Sequence, residues 1–117
     1  MSRHVVEVRL KEMVTIFAVH GKIELFLPAS QSLKERRRIV HSVKSRLQNN
    51  FNISIVDSSE DNVWQRATLG FAIVSSNFSG LQETLEAIDR HLGNNPDFEL
   101  IELKYGYFPS ISETLSP

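Results

Sequence analysis

The sequence predicts an α+β fold with the element order β-α-β-β-α-β. Three observations carry this. Four stretches are rich in β-branched and aromatic residues and end at turn residues. Two stretches repeat apolar residues at helical spacing behind a capping signal. Each helix falls between two strands, so the chain reads as two rough βαβ halves. The length of 117 residues suits one domain with a real core. That domain is expected over residues 13–107, with residues 1–12 as an N-terminal extension and 108–117 as a C-terminal tail.

The first strand is expected over "VTIFAVHGKIELFL", Val14 to Leu27, ended by Pro28. Ile23, Leu25 and Leu27 share one face, with Lys22, Glu24 and Phe26 on the other. Gly21 suggests a bulge or bend. Ser32 followed by Glu35 is a capping-box pattern, and Leu33, Ile39, Val40, Val43 and Leu47 gather on one side of the helix behind it. That helix should end near Asn49 and Asn50. "FNISIVD" is a short strand, and "SSEDN", Ser58 to Asn62, is a turn. "VWQRATLGFAIVS", Val63 to Ser75, is the third strand, with Leu69, Phe71 and Ile73 on one face and Trp64, Arg66 and Thr68 on the other. Ser79 and Gln82 make a second capping-box match, before Leu81, Leu85, Ile88 and Leu92. Gly93 marks that helix's end. "DFELIELKYGY" is the fourth strand. Together these predict the ferredoxin-like arrangement, a four-stranded antiparallel sheet with both helices on one face. The other face must then be polar or meet a partner.

Composition excludes several function classes. With no cysteine there is no disulfide, no thiolate catalysis and no cysteine-ligated metal. A net charge of −1 does not mark a generally basic nucleic-acid binder, so any such role must reside in a local patch. No apolar run has the roughly 18 residues of a membrane span. The start "MSRHVVEVRLKE" alternates charged and apolar residues, unlike a signal peptide. A soluble cytoplasmic protein without membrane contact is expected.

The local patch is "SLKERRRIV", which holds four basic residues between Lys34 and Arg38 at a helix start. Cations in a first turn oppose the helix dipole by roughly 0.3–1 kcal/mol each. On a helical wheel Lys34, Arg37, Arg38, His41 and Lys44 spread over one side, while Arg36 points near the apolar face and must snorkel or meet a buried acceptor. One reading is a nucleic-acid-binding set, Lys34, Arg36, Arg37, Arg38 and Lys44, contacting phosphates. The other is a solvated face with Glu35, Asp57, Glu60 and Asp61 as ion-pair partners. The second helix carries Glu83, Glu86 and Asp89, so part of the basic excess is open to balance within the fold.

Trp64 and Arg66 offer a ring and a guanidinium for base stacking, a cross-strand pair of Arg66 with Glu102 or Glu24, or a dimer contact. "GFAIV" is not an RNA-recognition motif, because Phe71 and Ile73 belong against the helices. His4, His20, His41 and His91 show no metal spacing, and "DSSEDN" lacks the features of an EF-hand loop. No phosphate-binding glycine loop or nucleophile elbow is present. The expectation is a non-enzyme without cofactor or metal.

"ELFLP", "SLKERRRIVHSVKSRL", "NNFNISI" and "WQRATLGFAIVS" together resemble the YlxP-like family of small uncharacterised bacterial proteins, domain of unknown function 503. Ser32, Leu33, Lys34, Glu35, Arg36 and Arg37 match its helix signature. Trp64, Gln65, Arg66, Ala67, Leu69 and Gly70 match its strand signature. The resemblance implies a ferredoxin-like fold. It implies no reaction, and the family's frequent encoding beside translation and ribosome-maturation factors points towards RNA or the ribosome. The expected function is an RNA- or ribosome-associated factor using its basic first helix. The alternative is a module that self-associates, as a homodimer, through the open sheet face or an edge strand. Family members usually begin near Met13, which leaves residues 1–12 as the departure.

Overall fold

The computed structural model describes Val5, Glu7 and residues 16–108. The elements are β1 (Phe17–Phe26), α1 (Leu33–Asn50), β2 (Ser54–Asp57), β3 (Arg66–Ser75), α2 (Phe78–Gly93) and β4 (Glu99–Phe108). The strands form one antiparallel sheet in the order β2-β3-β1-β4. This is the ferredoxin-like arrangement. The expectations for residues 1–12 and the tail fall outside the described residues, apart from Val5, Glu7 and Phe108, the last residue of β4.

The alternation in β1 does what a period of two must do. Ile23, Leu25 and Leu27 are fully buried beneath the helices. From β3, Leu69, Phe71 and Ile73 join them, which removes these side chains from the open face and disposes of the RNA-recognition-motif resemblance. Ile39, Val40, Val43 and Leu47 of α1 and Leu81, Leu85, Ile88 and Leu92 of α2 close the core from above. Each fully buried Leu or Ile contributes roughly 1.5–3 kcal/mol. Leu33, also expected there, is only half-buried at the helix start.

Three local expectations need correction. The cap of α2 is Asn77, whose side chain accepts from the Gly80 N–H at 3.0 Å; Ser79 instead donates its hydroxyl to Asn77 Oδ1 at 2.8 Å. Strand β3 begins at Arg66, so Trp64 lies in the loop before it and shares no sheet face with Arg66. Gly21 makes no bulge. The irregularity sits further along, where β4 shifts register opposite Glu24 and Leu25 and leaves Ile101 unpaired.

Gly21 has a different reason. A Cβ built there would lie 2.0 Å from the Lys104 carbonyl oxygen and 2.7 Å from Tyr105 Cα. Those atoms belong to backbone, so neither can swing aside. The glycine lets β4 approach β1 closely, next to the aromatic row in which Tyr105, Tyr107 and Phe78 meet with centroids 5.9 and 5.0 Å apart. Burial first, and Tyr105 second, hold the Tyr107 phenol above its ordinary pKa. Gly21→Ala should therefore lower unfolding free energy by about 1–3 kcal/mol, as overpacking does. Urea titration followed by circular dichroism measures this; a midpoint equal to wild type would show that the strands separate without loss.

Candidate nucleic-acid interface

The basic helix start is assembled from its cap outward. Ser30 is buried, takes its backbone N–H to Leu27 O and donates its hydroxyl to Ser32 O at 3.2 Å. This turn delivers Ser32 as N-cap, and its hydroxyl oxygen accepts from the Glu35 N–H at 3.1 Å. The Glu35 carboxylate reaches back one residue further than an ordinary capping box. It accepts from the Gln31 N–H at 2.7 Å. A carboxylate thus sits at the positive end of α1 and offsets part of the repulsion felt by the first-turn cations.

Arg36 is not part of any phosphate surface. It is 2% exposed, and its Nη1 donates to the carbonyl oxygens of Glu60 and Val63, both at 2.5 Å. The buried-acceptor reading holds for it, and the nucleic-acid-binding one does not. Its Nε is buried without a partner. The guanidinium is a clamp that fixes the β2–β3 loop to the start of α1, using charge-assisted bonds to turn carbonyls.

The clamp sets Trp64, the next residue. Two further bonds tie the other side of the ring's loop. Leu27 donates its N–H to Gln65 O at 2.8 Å, and Gln65 Nε2 donates to Pro28 O at 3.1 Å. Trp64 is held 52% exposed in an open groove of about 550 Å³ lined by Ser30, Gln31, Asn62, Val63 and Gln65. Arg36 of "SLKERR" thus bonds to Val63, the residue just before "WQRATLG", and Gln65 of the latter bonds to the turn that leads into the former. Arg66 is elsewhere, on the open sheet face opposite Phe26, in a smaller hollow with Glu24, Glu60 and Thr68. Trp64 thus joins the basic helix start, whereas Arg66 does not. Gln31, Asn62 and Gln65 were missed as site residues; the only signal for them was adjacency to Trp64 and to the cap.

Lys34, Arg37 and Arg38 are exposed, and Lys44 is half-exposed. Among the described residues none of them is within 4.0 Å of a carboxylate. Both ion pairs there belong to Lys22, with Glu24 at 3.3 Å and Glu102 at 3.6 Å on the open sheet face. Hydrogen bonding to Glu24, before all else, holds Lys22 above the ordinary lysine pKa. Of the expected partners, Glu35 serves the cap and Asp57 accepts from the Ser59 N–H at 2.9 Å. No ion pair joins the basic face of α1 to the acidic residues of α2 among the described residues. Glu24 and Glu102 pair with Lys22 rather than with Arg66. Among the described residues no three His, Asp or Glu side chains are grouped to hold a metal ion, and no helix is long and apolar enough to cross a membrane.

Removing the clamp should loosen the loop and the fold together. Arg36→Met keeps much of the stem's packing but strips both carbonyls of their charged donor. A loss of about 2–4 kcal/mol is expected. The emission of Trp64, the single tryptophan, should shift in the native baseline as its loop opens. Unchanged stability together with an unchanged spectrum would show that the loop holds without Arg36.

The profile of the family described as "Protein of unknown function (DUF503)" matches residues 19–105, which spans both segments. The uncharacterised protein YlxP of Bacillus subtilis (strain 168) is 34% identical over 79 residues, covering 68% of this chain and 86% of that protein. The clamp, the cap and the tryptophan loop all fall inside the matched stretch, and this ferredoxin-like chain belongs to the DUF503 family.

Proposed function

We propose that this protein is a non-enzymatic RNA- or ribosome-associated factor that engages phosphates through the exposed face of α1. One observation carries the reading. Lys34, Arg37, Arg38 and Lys44 have no carboxylate partner among the described residues, although the chain as a whole has a net charge of −1. The chain carries acidic residues in the β2–β3 turn and on α2, and among the described residues none of them pairs with α1. Unpaired cations on one helix face are what a polyanion neutralises, with release of its counterions. Arg36 adds nothing to that face; its contribution is to fix the loop beside it.

Binding of labelled RNA and of ribosomal subunits at several salt concentrations tests this. With three or four phosphates neutralised, log affinity for a single strand should fall against log salt with a slope of about −2 to −3. The double reversal Arg37→Glu with Arg38→Glu should weaken binding on the order of tenfold or more and flatten that slope. No affinity at low salt, or affinity unmoved by the double reversal, would overturn the proposal.

A second reading has one observation in its favour. Strand β4 is ten residues long, lies at the sheet edge, and exposes Ile101 and Tyr105. Such an edge can pair with a second copy unless something blunts it. Trp64 plays no part in this, since it lies off the sheet. Self-association would show as a dimer by light scattering that Ile101→Lys dissociates; a monomer at high micromolar concentration would remove this reading.

A further inference from the structure

We infer that the groove beside Trp64 is a stacking site for one unpaired nucleobase of an RNA strand whose phosphates run onto α1. This deepens the proposal of phosphate contact and rests on it. The first argument is the cost of exposing the ring. A tryptophan left 52% exposed forgoes burial that the fold elsewhere secures for every core side chain. Yet its loop is not slack. Val63 is tied to α1 by Arg36, and Gln65 is tied to Leu27 and Pro28, so both neighbours of Trp64 are anchored across the groove. A ring fixed in this way loses little freedom when a flat partner lands on it.

The second argument is the chemistry of the walls. The groove's volume, about 550 Å³, lies within the usual range of small-molecule sites, roughly 300–1,000 Å³. Gln31 and Asn62 line it, and their side-chain amides take no part in any hydrogen bond within the described residues. Each amide offers donors and an acceptor on a short arm, as the edge of an unpaired base requires. Stacking accepts any base, because every base has a π-face.

The third argument is charge. Gln31 lies immediately before the cap of α1, so the groove opens at the end of the helix that carries Lys34, Arg37 and Arg38. Cα–Cβ bonds in a helix tilt towards its N-terminus, so these cations lean towards the groove's end. A base on Trp64 would have its flanking phosphates in reach of cations without carboxylate partners. A second copy of this chain would bring carboxylates, such as Glu83, Glu86 and Asp89 of α2, but no flat base flanked by phosphates, and an apolar peptide would leave the amides unpaired.

Trp64 is the chain's single tryptophan, so its emission reports on the site directly. The full-length protein is titrated with an unlabelled short oligoadenylate, with a self-complementary RNA duplex and with adenosine monophosphate. Binding of labelled versions of the two RNAs is measured in parallel by anisotropy. The single strand should quench Trp64 as it binds, whereas the duplex should bind through phosphates without quenching. Trp64→Ala should weaken single-strand binding about tenfold, spare duplex binding, and keep the wild-type circular dichroism. Trp64→Phe should recover part of the loss. If both RNAs bind but emission stays constant and Trp64→Ala binds as wild type, the stacking site is wrong and the basic face stands. If neither RNA binds, both proposals fall. Quenching by the mononucleotide as strong as by the oligomer would make the ligand a free nucleotide, and a spectrum that changes with protein concentration alone would assign the ring to contact between copies. Either result overturns the inference.

Discussion

The hydrogen bonds from Arg36 to the carbonyls of Glu60 and Val63 join two parts of the chain that the sheet alone does not hold together. The β2 strand has only four residues, and it pairs with the middle of β3. The connection between them is therefore long for the ladder that flanks it. Ser58 and Ser59 hold its first half to Thr68, by the Ser58 N–H to Thr68 O at 2.8 Å and the Thr68 N–H to Ser59 Oγ at 2.9 Å. The second half, Glu60 to Val63, has its internal turn and the guanidinium. A charged donor is well suited there, because it makes two short bonds from one nitrogen to carbonyl oxygens that would otherwise compete for water. The arrangement is not free of cost. Burying a guanidinium with Nε unpartnered removes solvation that only the two carbonyls repay.

The clamp also accounts for what was legible in the sequence and what was not. Faces set by a local period were legible. The alternation through Ile23, Leu25 and Leu27, and the helical spacing through Leu81 to Leu92, lead directly to buried positions. The position of Trp64 was not, because alternation continues smoothly from Trp64 to Arg66 and Thr68 while the ladder begins only where Arg66 meets Phe26. What removes Trp64 from the strand is a side chain 27 positions from Val63, a non-local fact with no periodic trace. The cap of α2 failed differently. Asn77 and Ser79 are both good capping residues, and the pattern Ser79 to Gln82 fits as well as the true one; only the acceptor geometry at Asn77 separates them. The bulge in β4 did leave a trace. Leu100 and Ile101 are adjacent apolar residues, and the inward parity switches between Leu100 and Leu103. Gly21 drew attention to the wrong strand.

For the candidate site, residue types were legible and their sorting was only partly so. The helical wheel already placed Arg36 apart from Lys34, Arg37 and Arg38. It did not say whether carboxylates would neutralise the outward group, since that depends on where Glu35, Asp57, Glu60 and Asp61 spend their oxygens. The cap takes Glu35, and the turn takes Asp57. The sheet's own cation, Lys22, takes Glu24 and Glu102. Each of these is a short-range interaction that wins over a longer reach to α1. The Glu60 and Asp61 carboxylates make no ion pair among the described residues, so local geometry accounts for only part of the acidic set.

The location of the ring relative to these charges decides which face of the fold deserves the functional reading. Proteins that read single-stranded RNA on an open four-stranded sheet present aromatic side chains near its centre. Here the centre of the open face holds the Lys22, Glu24 and Glu102 cluster and the small residues Gly70, Ala72 and Gly106, while its phenylalanines, Phe26 and Phe108, stand at opposite ends of the ladder. The exposed His20 imidazole also stands at that centre, between Ala72 and Gly106, and Lys104 lies opposite Lys22, so a strand of bases laid across it would meet charges of both signs. The start of α1 differs. Unpaired cations come first, a fixed exposed tryptophan lies beside them, and Glu35 is turned inward to the cap, while Glu60 and Asp61 stand exposed in the loop. The sheet's Lys22 is already neutralised by Glu24 and Glu102, whereas the outward cations of α1 have no ion pair among the described residues. The helix–loop corner is therefore the place where cations without an ion pair among the described residues lie next to an anchored, exposed ring, and it is the surface we propose for phosphate contact and stacking.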